Sequence, residues 1–475
     1  MYEQPRILRA VTARTHKEVT MEQKLERKYG LFTAICMVAG IVIGSGVFFK
    51  AQDILKMTGG DMPLGVVAWV IGGIIMMVCL LTFSFMGQKY EKVNGVVDYA
   101  EATVGKRYGY VMGWLVATIY FPAMTSVLCW VTSRYTLEFV AAVSPHHTID
   151  ASPTGLTCLL LSLVIMAFAF LLNVLSPKLA GRFQTGTTII KLIPLVLMAV
   201  VGIIYGLING TLTANFQTNA TVSTTTSNPL FAAICSTAFA YEGWMIATSI
   251  NAEIKDSKRN LPRALIIGGI IIAAVYIFYY IGVAGGATNQ QLIEEGATTA
   301  FTNLFGGTLG NVLKLFIAIS CFGTVNGLML ACCRGMYAIA ARGEGPKPDT
   351  LGRIHPKTNM PTASAVVGLL LILGWLAYFY LANLAQVWTG PFVFDSSELP
   401  IITIYLLYLP ILIQWMRKET DQPIARRFIL PILAFCGSIF MVIASIFSHG
   451  IGCLWYLLVF AVILAVGLLL NRQHA

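Results

Sequence analysis

Twelve long runs of apolar residues, separated by short polar loops, constrain this chain more than any other feature. A transmembrane helix needs about 20 predominantly apolar residues, and the runs cover approximately residues 30–50, 63–88, 108–134, 155–175, 183–209, 229–251, 263–286, 311–342, 361–385, 398–416, 427–447 and 450–471. Only 11% of the 475 residues are charged, against about 25% in a soluble domain. A soluble fold and intrinsic disorder are therefore excluded. The sequence predicts an all-α polytopic membrane protein with 12 transmembrane helices.

Lys and Arg residues are concentrated in alternate loops. The N-terminal tail, residues 1–29, holds seven of them and lacks the apolar segment of a secretory signal peptide. The other basic loops are Lys89–Arg107, Lys178–Arg182, Lys255–Arg263, Arg342–Lys357 and Arg417–Arg427. Because cytoplasmic loops carry the excess of positive charge, we expect both termini in the cytoplasm and the chain in the plasma membrane. Loops beside anionic lipid account for the net charge of +10, so the bilayer is the expected partner and nucleic acid is not.

Two spans contain residues that weaken a helix at mid-membrane depth. The first reads Gly40-Ile-Val-Ile-Gly-Ser-Gly-Val-Phe48, and the sixth reads Phe239-Ala-Tyr-Glu-Gly-Trp244. The small residues of the first span could instead allow close helix packing. A carboxylate such as Glu242 costs about 2.5–3.5 kcal/mol near the bilayer centre and needs a cavity, a partner or a proton, so a protonated Glu242 bonded to a neighbouring helix is the alternative there. Interrupted helices in spans one and six, which run in opposite directions, are typical of a transporter site.

A broken helix suits a zwitterionic ligand. Carbonyls at the end of its first half attract a cation, and amides at the start of its second half attract an anion. An amino acid is the simplest substrate with both groups. The expected substrate-binding residues are Ile41, Val42, Gly44, Ser45, Gly46, Phe239, Ala240, Glu242, Gly243 and Asn326.

Four polar or aromatic residues within the spans each have two interpretations. The ammonium of Lys191 could occupy the place of a sodium ion, which would make transport sodium-independent, or it could reach back toward Arg182 and the interface; proton coupling through Lys191 stays possible. Asn326 could contact substrate or bond a neighbouring helix. Tyr241 and Trp244, beside the second break, are a possible gate or ordinary packing residues.

Four segments in order resemble one known superfamily. They are Gly40–Phe48, Phe239–Trp244, Glu253–Arg263 and Phe322–Gly327, the last followed by Arg334, Tyr337 and Ala341–Gly345. Together they resemble the amino acid–polyamine–organocation (APC) superfamily. Within it, the chain is similar to the L-type amino acid transporter branch and its bacterial serine/threonine or alanine/serine/cysteine exchangers. The similarity extends over roughly residues 22–470.

The resemblance implies a five-plus-five inverted repeat like that of the sodium-coupled leucine transporters, with discontinuous helices 1 and 6. The implied organisation is a cytoplasmic tail at 1–29, repeats at 30–209 and 229–416, two further helices at 427–471 and a cytoplasmic C-terminus at 472–475. It also implies alternating access, a Lys at position 191 in place of sodium, and exchange of neutral amino acids without a cofactor.

Two segments depart from the pattern of the superfamily. Gln88–Tyr99 lacks the Pro and paired Gly common at that point. Animal members join a glycoprotein subunit through a Cys in the loop after span three, whereas residues 144–153 contain His146 and His147 but no Cys. We therefore expect no disulfide-linked heavy subunit, and we interpret the two histidines as loop residues, with no metal site.

The leading hypothesis is sodium-independent exchange of neutral amino acids, and the alternative within transport is proton-coupled uptake of cationic amino acids or polyamines. An enzyme is not expected, because the spans contain no metalloprotease motif, no nucleophile elbow and no Asp/Glu pair. A nutrient sensor that binds an amino acid without transporting it is a third hypothesis, but such a protein would more commonly carry a soluble signalling domain.

Overall fold

The computed structural model describes residues 30–44, 46–90, 95–144, 150–217, 228–247 and 254–472. This part of the chain is built from helices joined by loops. In chain order they are α1 (Leu31–Val42), α2 (Gly46–Met57), α3 (Met62–Lys89), α4 (Val96–Thr103), α5 (Lys106–Val143), α6 (Leu156–Leu175), α7 (Pro177–Leu197, continued by a π-helical turn at Met198–Gly202 and by Ile203–Ile208), α8 (Thr211–Gln217), α9 (Pro229–Tyr241), α10 (Trp244–Ala247), α11 (Ser257–Gly286), α12 (Asn289–Glu295), α13 (Thr298–Ala340), α14 (Pro348–Leu351), α15 (Thr362–Leu384), α16 (Leu399–Lys418), α17 (Ala425–His449) and α18 (Ile451–Arg472).

Ten of the described helices are long and apolar enough to cross a membrane. They are α3, α5, α6, α7, α11, α13, α15, α16, α17 and α18. Each coincides with one of the 12 apolar runs that the sequence contains. The two remaining runs correspond to the shorter apolar helices α1 and α9, which end at the two segments predicted to break. The chain is therefore a multi-pass membrane protein.

The outward faces of the long helices are apolar, as contact with lipid requires. In α6, Leu160, Val164, Phe168 and Leu171 are all exposed. They recur every three or four residues and so share one helix face. Ser162, on another face, is fully buried and donates to the Cys158 carbonyl oxygen at 2.7 Å. The exposed apolar side chains of this helix consequently face the bilayer, and Ser162 faces protein.

Two spans extend further beyond the runs predicted from hydropathy than the others do. The helix expected at 108–134 continues to Val143, where Arg134 and Glu138 form an i,i+4 ion pair at 2.9 Å that favours further helix. The helix expected at 311–342 begins at Thr298, and Gly306, with φ of 71°, bends the chain near its start. Polar residues interrupt the apolar pattern in both extensions: Arg134 and Glu138 in the first, and several Thr, Asn and Gly residues in the second.

Candidate functional site

The first break separates α1 from α2. Helix α1 ends at Val42, and Ile43 follows with an extended backbone (φ −67°, ψ 107°). Helix α2 then begins at Gly46. The predicted site residue Ser45 and the side chain of Ile41 lie outside the described part of the structure. The chain therefore loses helical geometry within the glycine-rich segment that the sequence singled out.

The second break separates α9 from α10. Helix α9 ends at Tyr241, and Glu242 is extended, with φ of −72° and ψ of 163°. Gly243 has φ of 103°, in a region that residues with a β-carbon rarely adopt. Helix α10 resumes at Trp244. Glycine at this position lets the chain turn before it becomes helical again.

The two breaks lie against each other. A β-carbon placed on Gly46 would be only 2.6 Å from Cα of Ala240 and 3.2 Å from the carbonyl oxygen of Phe239. A side chain at position 46 would therefore require the backbone of α9 to move. The structure thus brings together the beginning of α2 and the end of α9, as paired broken helices require.

Lys191 contacts the first break directly. Its side chain is fully buried, and its Nζ donates a hydrogen bond to the carbonyl oxygen of Gly40 at 2.6 Å. The final carbonyls of a helix carry partial negative charge, which favours an ammonium there. Lys191 therefore joins α7 to the C-terminal end of α1.

Two hydroxyl groups that the sequence analysis did not select also lie at the first break. Tyr276 of α11 donates from its hydroxyl to the carbonyl oxygen of Val42 at 3.0 Å. Thr324 of α13 lies beside Gly44, where an added β-carbon would be 2.5 Å from Thr324 Oγ1. Tyr276 belongs to no recognisable motif. Thr324 lies within the segment Phe322–Gly327, but the sequence selected Asn326 there, so only the packing of α11 and α13 against α1 reveals these two hydroxyl groups.

Glu242 has a hydrogen-bond partner on a neighbouring helix. The hydroxyl of Tyr120 donates to Glu242 Oε1 at 2.7 Å, and Glu242 itself is half-buried. Tyr120 is the last residue of a π-helical turn within α5, Val116–Tyr120, a local widening that is frequent at functional sites. The carboxyl group is thus held beside the second break by a residue that sequence reasoning missed.

Tyr241 and Trp244, the predicted gate residues, are packed against neighbouring helices. The Tyr241 hydroxyl donates to the Trp69 carbonyl oxygen at 2.9 Å. The Trp244 ring centroid lies 5.5 Å from that of Phe83 and 5.7 Å from that of Tyr408. Trp69 and Phe83 both lie in α3 but are about 21 Å apart along its axis at 1.5 Å per residue, so the two predicted gate residues pack in separate aromatic groups in this conformation.

Asn326 bonds neighbouring helices in this conformation. Asn173 Nδ2 donates to Asn326 Oδ1 at 2.9 Å, and Asn326 Nδ2 donates to the Ala180 carbonyl oxygen at 3.1 Å. Residues two apart on a helix point roughly 200° apart. Thr324, two residues earlier on α13, is therefore the residue that reaches Gly44.

A buried ion pair lies one helical turn beyond the first break. Lys50 Nζ is 2.6 Å from Glu398 Oε1, and both side chains are at most 3% exposed. The same ammonium lies 5.4 Å from the ring centroid of Phe239, within the range of a cation–π contact. The sequence analysis missed this pair because its members are 348 positions apart and each stands near the end of an apolar run.

Comparison with known proteins identifies the family. The amino acid permease family matches residues 29–468. The serine/threonine exchanger SteT of Bacillus subtilis (strain 168) is 28% identical over 91% of this chain and 94% of its own length. The mouse large neutral amino acids transporter small subunit 2 is 26% identical over 90% of this chain and 78% of its own length. The mouse b(0,+)-type amino acid transporter 1 is 25% identical over 92% and 86%.

The family match covers nearly the whole chain, and these relatives are named transporters or exchangers, not enzymes. Two adjoining helix breaks, with buried polar groups directed at them, lie inside that match. The chain belongs to the amino acid permease family of the APC superfamily, in the part of it that resembles the L-type transporters.

Proposed function

We propose that this permease is a sodium-independent exchanger of neutral L-amino acids that works by alternating access. The substrate's ammonium would face the carbonyls at the end of α1, and its carboxylate would face the amides at the start of α2. The names of the three relatives, two of which specify serine, threonine or large neutral amino acids, support this substrate class.

The observation that carries the proposal is the 2.6 Å hydrogen bond from Lys191 Nζ to the Gly40 carbonyl oxygen. A buried cation at the end of a half-helix does what a bound metal ion would do, because it neutralises the partial negative charge of the last carbonyls. A covalently attached ammonium cannot leave with the substrate. Transport would then have no requirement for sodium.

The membrane arrangement belongs to the same proposal. Helices α1 with α2, and α9 with α10, would each cross the membrane once as a discontinuous helix, which gives 12 crossings with the ten long helices. Residues 30–209 and 229–416 would form the two inverted repeats. The basic loops would place both termini in the cytoplasm, so that α2 and the beginning of α9 lie toward the outside.

Purified protein in proteoliposomes tests the function. Uptake of labelled L-serine is measured without sodium and at equal pH on both sides, into vesicles that are either preloaded with unlabelled serine or empty. Exchange predicts rapid uptake in the loaded vesicles and little in the empty ones. Equal uptake in both, or uptake that needs sodium, would contradict the proposal, and loading with other amino acids ranks them as substrates.

Glu242 favours one second candidate, the proton-coupled uptake of cationic amino acids or polyamines. A half-buried carboxyl group beside the second break could pair with a distal amine of the substrate. In that case empty vesicles would accumulate labelled arginine or putrescine when an inward proton gradient is imposed. Under the main proposal they would not.

We also propose that the chain works without a disulfide-linked subunit. All ten cysteines lie in the described residues and form no disulfide there, and the two exposed ones, Cys36 and Cys436, are within α1 and α17. Electrophoresis of membranes with and without reductant tests this, since a covalent partner would appear as a larger species only without reductant.

A further inference from the structure

Three potential metal ligands meet where α9, α16 and α17 come together. They are Cys235 in α9, Glu398 directly before α16 and His449 at the end of α17. Among the described residues, the Cys235 Sγ, a Glu398 carboxylate oxygen and a His449 ring nitrogen lie within 4.8 Å of one another. Their positions, 235, 398 and 449, have no ligand spacing that could be recognised in the sequence.

The geometry of this cluster suits a tetrahedral metal ion. His449 Nε2 and Glu398 Oε2 are 3.2 Å apart. Nitrogen and oxygen ligands of zinc at about 2.1 Å from the metal lie roughly 3.4 Å apart in a tetrahedron. Cys235 Sγ lies within 4.8 Å of a Glu398 carboxylate oxygen and a His449 ring nitrogen. To form the third corner it would come to within roughly 3.6 Å of them, as a Zn–S bond of about 2.3 Å requires, and a water would take the fourth corner.

The surrounding charges also suit a divalent cation. A Cys235 thiolate and the Glu398 carboxylate together neutralise the two charges of the ion. Lys50 shares Glu398 with the ion, and Asp53, whose Oδ2 is 3.8 Å from Lys50 Nζ, supplies a third negative charge, so that the ion and Lys50 together are matched by three negative groups. The hydrogen bond from Lys50 Nζ to Glu398 Oε1 fixes the carboxylate so that Oε2 faces His449, as outer partners of metal ligands commonly do.

We propose that Cys235, Glu398 and His449 form a binding site for a divalent transition metal, with zinc as the preferred ion. A thiolate, an imidazole and a carboxylate are the ligand types that zinc takes in proteins. Cys235 and Glu398 are at most 1% exposed, whereas the side chain of His449 is 13% exposed. The ion therefore enters past His449, at the turn formed by Gly450.

A bound ion would fix the first half of the broken helix α9 to two other helices. Under the proposed function α9 moves relative to its neighbours during transport, so zinc would slow exchange, and in the proposed orientation it would act from outside. This consequence rests on the proposed function, but metal binding itself does not.

Cobalt spectroscopy on the purified full-length protein tests the site independently of transport. Co²⁺ with a thiolate ligand gives a charge-transfer band in the near ultraviolet, and tetrahedral Co²⁺ gives intense visible bands. The exposed Cys36 and Cys436 are first changed to Ser in all samples, to remove other accessible thiols. We expect both bands at about one Co²⁺ per chain and their loss when Zn²⁺ is added.

Two variants and one control test whether the bands arise from the proposed ligands. Cys235→Ala should abolish the charge-transfer band, and His449→Ala should weaken Co²⁺ binding by at least about tenfold, since even outer partners of ligands contribute about 10–100-fold. Cys453→Ala is the matched control, because Cys453 lies nearby and bonds Ser445 rather than the cluster, and it should keep both bands. Absence of the bands in the parent protein, or their persistence in Cys235→Ala, would overturn the proposal.

Thermal unfolding gives a second readout that does not depend on the spectrum. Zn²⁺ that binds the folded state raises the unfolding midpoint. The rise should occur in the parent protein and in Cys453→Ala but not in Cys235→Ala. An equal rise in all three would place the metal elsewhere and overturn the assignment. If the site binds metal but zinc leaves exchange unchanged, the site stands and only its effect on α9 movement is wrong.

Discussion

Gly46 is a residue at which the two broken helices approach each other closely. A β-carbon there would be 2.6 Å from backbone of α9, whereas one at Gly44 would mainly meet the hydroxyl of Thr324 at 2.5 Å. Backbone cannot yield without moving the helix, but a threonine side chain can rotate. Both positions therefore disfavour a side chain, and position 46 disfavours it more than position 44.

This difference predicts a graded effect of adding a single methyl group. Gly46→Ala should lower the exchange rate roughly tenfold or more, in line with the cost of overpacking a close contact, and Gly44→Ala should lower it less. Gly46→Leu and Gly44→Leu should abolish substrate binding while the protein still inserts. Gly374→Ala is the control, because a β-carbon at this helical position meets no atom within 4 Å. Normal exchange by Gly46→Leu would contradict the broken-helix account.

Variants of the hydrogen-bonded pair Tyr120 and Glu242 distinguish a neutral substrate from a cationic one. For a neutral amino acid, Glu242→Gln and Tyr120→Phe remove only a supporting contact, and we expect losses of about tenfold or less in exchange. For a cationic substrate, Glu242→Gln would remove its counter-charge and abolish uptake. Measuring both variants with labelled serine and labelled arginine distinguishes these outcomes.

At the scale of elements, the Lys50–Glu398 pair joins α2 to the beginning of α16. Both groups are buried, and the pair stands next to Phe239 at the end of α9. A buried pair is weak evidence for stability in itself, but removing one partner leaves an uncompensated charge. We therefore expect the free energy of unfolding to fall when one partner is removed, and to fall much less when both partners are replaced together.

Lys50→Met should destabilise the protein by about 3 kcal/mol, the lower end of the usual range, because His449 remains 3.2 Å from Glu398. The double variant Lys50→Met/Glu398→Gln should recover most of this loss. Thermal unfolding in detergent measures both. Lys106→Met, which removes an exposed partner of Glu344 at 3.9 Å, is the control and should change little. A double variant as unstable as the single one would exclude the charge argument.

At the scale of the whole molecule, hydropathy and glycine placement predicted the ten long helices and the two helix breaks of the described residues. Ten apolar runs became long helices, and the other two are shorter helices that end at Val42 and Tyr241. These features depend on local composition, which the sequence shows directly. The partners of the breaks depend on which faces of apolar helices meet, and a helix that is apolar all round gives no periodic signal.

Lys191 illustrates a site residue that the sequence makes conspicuous, and Thr324 illustrates one that it does not. A lysine inside an apolar span is conspicuous in sequence, so its importance could be predicted, although its contact with Gly40 could not. A threonine among other small residues of α13 is not conspicuous, and Asn326 two positions later drew the attention instead. Tyr120, Tyr276 and Glu398 were missed for a different reason: each contacts a residue on a helix that is distant in sequence.

The most direct test of the account is the sodium dependence of exchange in the unmodified protein and in Lys191→Met. Labelled serine is exchanged into preloaded vesicles with sodium or with choline as the only cation. The unmodified protein should exchange equally in both. Lys191→Met should lose roughly 10–100-fold of the rate, as expected when a charge-assisted hydrogen bond of about 1.5–3 kcal/mol is removed, while inserting at normal levels. Strict dependence on sodium in the unmodified protein, or full activity of Lys191→Met in choline, would contradict the assignment of Lys191 as the built-in cation.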